Sequence, residues 1–151
     1  MANRVDHVAR DLRQTIDASL PKLRAISDAA ATEPRAPGKW SRKEIIGHLI
    51  DSASNNHQRF IRAQEADKLS FPPYAQNHWA ESQHCNERRW SDLVDLWHGY
   101  NAHLAHVMTR IPDAKLSVPC VIESDAPVTL EFLVTDYVRH LRHHLAQVGV
   151  V

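Results

Sequence analysis

The sequence predicts an all-α protein built as a four-helix bundle. Apolar residues recur mainly three and four positions apart, the spacing of one helix face. Only four glycines occur in 151 residues. The periodic stretches fall into four long segments, joined by two long inter-helix loops. No internal repeat, low-complexity tract or linker interrupts them, so residues 1–151 read as a single domain, long enough to bury a core.

The first helix is expected from Asn3, as N-cap, to about Ala31, with Val5, Val8, Leu12, Ile16, Leu20, Leu23 and Ile26 on its apolar face. Pro21 should kink or split it, because proline removes a backbone donor and crowds the preceding turn. The second helix opens with "KWSRKEII": Ser41 as N-cap, Glu44 three residues on as the capping-box partner, and Trp40 with Ile45 as a hydrophobic staple. It should reach about Glu65. The third is expected from Arg89 or Ser91 to Arg110, with Leu93, Leu96, Trp97, Tyr100, Leu104, Val107 and Met108 inward and Pro112 beyond its end. The fourth should run from Thr129 to Gln147. The loops "DKLSFPPYAQNHWAESQHCNE" and "PDAKLSVPCVIESDAP" are long enough to act as lids, as walls of a site, or as packing covers.

Eighteen basic and eighteen acidic residues cancel, which removes the electrostatic case for nucleic acid or an anionic membrane. No apolar run approaches the roughly 20 residues of a membrane span. The first fourteen residues are charged throughout, unlike a signal peptide. Cys85 and Cys120 are far apart and form no C-x-x-C pair, so two free thiols in a cytoplasmic protein are expected. Histidine is the outlier, at 11 residues. It binds metals and titrates near neutrality.

Three histidines crowd "DYVRHLRHHLAQV". Each helical residue advances roughly 100°, so His140 and His144 share a face bordering the stripe of Leu133, Val134, Tyr137, Leu141, Leu145 and Val148, while His143 should see solvent. Rings at i and i+4 can converge on one ion, which then needs a third ligand from elsewhere. His48 is suited to that role: it lies on a well-capped helix in a polar row with Ser52, Asn55 and Arg59. A lone H-x-x-x-H is weak evidence, and His57, His78, His84, His98, His103 and His106 remain rivals, His103 and His106 foremost.

"PGKWSRKEIIGHLIDSASNNHQRFIRA", "PPYAQNHWAE" and "RHLRHHLAQV" together resemble the DinB-like superfamily, in its YfiT-like branch, from about Pro37 onward. The resemblance implies up-down-down-up topology and a divalent metal, zinc or nickel, held by His48, His140 and His144. It implies a metal-dependent thiol S-transferase, with a low-molecular-weight thiol as co-substrate attacking an electrophilic small molecule. Other members are described as metal-dependent hydrolases, which makes cleavage of a small ester or amide the second reading. A non-catalytic metal- or ligand-binding module is the third. A homodimer is a further expectation from the family.

Three neutral imidazoles leave a coordination position open, the pattern of a catalytic site. Water or a thiol activated at the ion would then be the nucleophile. Asp51, Asp136 and Gln147 are candidates to accept a ring N–H from a ligand histidine. Ser52 and Asn55 belong to the polar row, and Arg59 could orient an anionic group. Trp79, with Tyr74 and His78, is placed to wall the pocket. No glutamate accompanies the H-x-x-x-H as in H-E-x-x-H proteases, which weighs against peptidase chemistry.

Overall fold

Asn3 does not cap the first helix. In the computed structural model, which describes residues 2–123 and 125–151, α1 spans Asp6–Arg24. The Asn3 amide instead donates to the carbonyls of Met108 and Ile111, at 2.8 and 2.9 Å, and ties the chain start to the far end of another helix. Pro21 lies inside α1 without ending it. It falls in the last turn, where one lost ladder bond matters least, and its own carbonyl still accepts from the Ala25 amide at 3.1 Å. The split comes later, at Ser27, whose hydroxyl accepts from the Ala30 amide and starts the short helix α2, Asp28–Thr32. The single helix expected to Ala31 is therefore two. A new cap satisfies the orphan amides that a break exposes.

The helix α3, Arg42–Glu65, begins as its capping box predicts. Ser41 Oγ accepts from the Glu44 amide at 3.1 Å, and the Glu44 carboxylate accepts from the Ser41 amide at 3.0 Å. After β1 (Leu69–Phe71), α4 (Gln76–Ser82) and a 3₁₀ turn at Cys85–Glu87, helix α5 spans Trp90–Met108. Two strands, β2 (Pro119–Ile122) and β3 (Val128–Thr129), precede α6, Leu130–Val148. Thr129 caps α6 through the Phe132 amide, and Gly149 ends it at φ 93°, a left-handed conformation that glycine adopts without penalty.

Residue pairings give each helix its direction. Asn3 at the start of α1 meets Met108 at the end of α5, so these two are antiparallel. Arg4 pairs with Glu131 at 3.2 Å, so α1 and α6 run parallel. Lys43 reaches the Asn86 carbonyl just ahead of α5, and further on His57 bonds Tyr100, so α3 and α5 are parallel. His48, near the start of α3, meets His140, near the end of α6. The order is up, down, down, up. Between the helices lies a core that fully buries Leu12, Ile16, Ile45, Leu49, Phe60, Trp97, Leu104 and Met108, each such side chain contributing about 1.5–3 kcal/mol. Among the described residues no helix is long and apolar enough to cross a membrane. Cys85 and Cys120 are both free and buried.

The two long connections are not independent loops. Strand β1 pairs in parallel with β2, Leu69 opposite Cys120 and Phe71 opposite Ile122, and β2 pairs antiparallel with β3. They form one three-stranded sheet in the order β1-β2-β3.

Candidate metal centre

The capping box sets the register of α3, and seven residues after Ser41 that register carries His48 inward, where only 1% of its surface is exposed. Opposite it, α6 presents His140 and His144 one turn apart. His140 Nε2 lies 3.3 Å from His48 Nε2 and 3.1 Å from His144 Nε2. One ligand nitrogen from each ring lies within 4.8 Å of the other two. Two nitrogens bound at about 2.0–2.1 Å to one ion stand about 2.9–3.4 Å apart, from octahedral to tetrahedral angles. Both short distances fall inside that window, so the donor set fits a divalent metal.

Protonation points the same way. Burial, reinforced by the charges His144 and His140 would carry, pushes His48 down to about 4. Burial, then His144, pushes His140 down to about 4 as well, against the opposing pull of Asp136. His144 is lowered chiefly by burial, and its hydrogen bond to Gln147 works against the shift. The rings are neutral at pH 7, which is the form that ligates. Gln147 Oε1 accepts from His144 Nδ1 at 2.8 Å, so the proton sits on Nδ1 and the Nε2 lone pair faces the other rings. His48 Nδ1 is buried with no partner among the described residues. A ligand taking the Nε2 lone pair would place the His48 proton on Nδ1. Trp40 leans over this ring, centroids 5.1 Å apart.

Of the three proposed ring acceptors, only Gln147 hydrogen-bonds a triad ring. Asp51 is buried but accepts two bonds from Gln83 Nε2, at 2.9 and 3.0 Å. Burial raises its pKa, and the Gln83 bond opposes the rise. Asp136 is held by Arg139 at 2.5 Å. Asn55 donates to the Asp51 carbonyl along its own helix. Trp79 backs Tyr74, centroids 5.2 Å apart. Ser52, Arg59, Tyr74 and Asp136 do line a cavity of about 260 Å³ that His140 also lines.

The rival histidines lie elsewhere. His103 packs on His57, which bonds Tyr100, and His103 and His106 are exposed on α5. His98 bonds Asp17 at 2.8 Å, and His84 faces Glu87 at 3.7 Å. His78 lies beside Ser82. His143 is exposed, as its position on the wheel predicts.

The sequence reading missed three features of the site. Asn56 and Gln76 line the cavity; Asn56 follows Ser52 by one turn and was legible from the same polar row, whereas nothing local marks Gln76. Gly47 lets the Cys85 turn lie directly on α3, since a Cβ there would come within 2.5 Å of Cys85 Sγ.

The chain is similar to proteins described as acting with metals. It is 22% identical over 138 residues to a "Putative metal-dependent hydrolase" of Geobacillus thermodenitrificans, covering 91% of this chain and 78% of that protein. It is 21% identical over 145 residues to "Putative metal-dependent hydrolase YfiT" of Bacillus subtilis, covering 95% and 78%. The solved structure of Bacillus subtilis YfiT, described as a probable metal-dependent hydrolase with an unusual four-helix bundle topology, matches with a TM-score of 0.84 at 20% identity, over 93% of this chain and 81% of that one. The mycothiol-dependent maleylpyruvate isomerase matches with a TM-score of 0.78 at 16% identity; all of this chain aligns to 65% of that longer one. A model of the DinB superfamily matches residues 11–148. With nearly its whole length inside that match, the chain belongs to the DinB superfamily.

Proposed function

We propose that this DinB-superfamily chain is a metal-dependent transferase that directs a low-molecular-weight thiol at an electrophilic small molecule. The observation that carries the reading is three neutral imidazoles converging beside a cavity, with no carboxylate in their group among the described residues. A divalent ion such as zinc or nickel, held by His48, His140 and His144, supplies Lewis-acid activation of a thiol or of water. Thiol attack on an electrophile needs little more than this. Hydrolysis also calls for a group to move protons, and the two candidate carboxylates are engaged, Asp51 by Gln83 and Asp136 by Arg139.

The chain's own residues prepare the site. Gln147 fixes the His144 tautomer, burial keeps protons off His48 and His140, and Trp40 shields the back of the His48 ring. Pro73, Tyr74 and Ile122, from the two paired connections, line the cavity together with residues of α3 and α6. The mycothiol-dependent relative supports thiol chemistry on this bundle. A second reading, hydrolysis of a small ester or amide, draws on the hydrolase relatives and on Asp136, which lines the cavity beside His140.

The test is to load the purified protein with zinc or nickel, confirm roughly one equivalent per chain by mass spectrometry, and follow thiol consumption with a panel of thiols and electrophiles. The expected result is conjugation that His140→Ala abolishes. Metal-loaded protein that consumes no thiol faster than His140→Ala, but cleaves an ester or amide, would replace the first reading by the second.

A further inference from the structure

Arg59 lies eleven residues after His48 on α3. Eleven residues turn the helix through about three full turns, leave about 20° between the two positions, and raise the chain by about 16 Å. Both side chains therefore share one face, with the arginine stem leaning back toward the helix start. Arg59 and His140 line the same cavity.

The guanidinium lies over the Phe71 ring, 5.3 Å from its centroid. Its Nε is buried with no hydrogen-bond partner, and no carboxylate pairs with Arg59 among the described residues. Arg59 is half-buried, and a cation partly withdrawn from water without a counter-charge favours the arrival of an anion. Around it stand neutral groups, the hydroxyls of Tyr74 and Ser52 and the amides of Gln76 and Asn56. The Tyr74 hydroxyl keeps its proton and remains a donor, because burial and nearby Asp51 push it up to about 12. The other charged group lining the cavity is Asp136, which Arg139 engages. One unpaired positive charge in a cavity that a carboxylate also lines favours a monoanion over a dianion.

We infer that Arg59 anchors an anion subsite, and that a substrate or co-substrate of this centre carries a carboxylate at the end remote from its reacting atom. The inference rests on the proposed function only for the reacting end. An elongated small acid would lay its chain along Leu133 and Tyr137, with the carboxylate at the guanidinium and the other end at His140. Fork-shaped pairing with carboxylate is the geometry arginine serves best.

The experiment uses metal-free, full-length protein and two probes of equal length, hexanoate and hexanamide, titrated while the Arg59 Nε–H signal is followed by NMR. Hexanoate is expected to shift that signal saturably and to bind about tenfold or more tightly than the amide, as a charge-assisted bond allows. Arg59→Met should abolish the preference, and Arg59→Lys should retain part of it. Equal binding of the two probes by the wild type would overturn the inference, and this comparison needs no variant to fold. So would a preference that survives in Arg59→Met, or tighter binding of hexyl phosphate than of hexanoate. Neither probe involves a metal or a thiol, so failure here leaves the proposed transfer chemistry standing, and the reverse holds.

Discussion

Replacing Gly47 by alanine sets two effects of opposite sign against each other. Gly47 lies inside α3, where alanine is intrinsically favoured by about 0.8–1 kcal/mol. The new Cβ would lie 2.5 Å from Cys85 Sγ and 3.4 Å from Cys85 Cβ. The first contact is impossible without movement, and Cys85 is buried, so its sulfur has little room to rotate away. Overpacking of this kind costs about 1–3 kcal/mol. The clash should win, leaving Gly47→Ala about 1 kcal/mol less stable and its melting point about 2–4 °C lower. Deleting the sulfur isolates the cause. In a Cys85→Ala background, the same glycine change should stabilise by about 0.5–1 kcal/mol. Urea unfolding of the four proteins, followed by circular dichroism, gives the cycle. Equal effects of Gly47→Ala with and without the sulfur would refute the reasoning, since the close approach would then carry no energy.

Three further expectations follow from the same geometry. Gln147→Leu removes the acceptor that orients His144, and competition with a fluorescent chelator should show metal affinity about 10–100-fold weaker. Tyr137→Phe leaves Asn101 Oδ1 buried without its 2.5 Å donor, so urea unfolding should show a loss of about 1–3 kcal/mol. The stability of metal-free protein should depend on pH through His48. Its folded pKa of about 4 lies below the ordinary 6.5, so between these values the unfolded chain binds the extra proton. Stability is then full above about pH 6.5 and falls as the pH drops toward 4, by about 2 kcal/mol from this residue at pH 5. His48→Gln should flatten that part of the curve, and an unchanged slope would count against burial as the cause.

What the sequence made legible, and what it hid, divides along the range of the interactions. The start of α3 was readable because both capping partners lie within four residues of each other, although Asn86, far along the chain, also bonds them both. The pairing of His140 with His144 was readable because helical periodicity alone puts them on one face. That His48 faces them was not a local fact, and it came from the family resemblance together with the polar row on α3. The sheet was invisible: strands of two to four residues are too short for an alternating pattern, and β1 pairs with a segment about fifty residues away. The break at Ser27 was masked by the alanines that follow, which continue the helical pattern through a cap. Asp51 looked like a partner for a ligand ring, but Gln83, thirty-two residues on, takes its carboxylate first.

The pairing of Leu69–Phe71 with Pro119–Ile122 has a mechanical consequence. Phe71, which packs against the Arg59 guanidinium, and Ile122, which lines the cavity, are mounted on strips of backbone that are bonded edge to edge, so neither can swing aside without dragging its neighbour. A guest molecule is therefore admitted by tilting a joined plate, or by threading past its rim, and never by the flapping of one free strap. Shortening either strip by a residue would shift the alignment of the other and reshape both walls together.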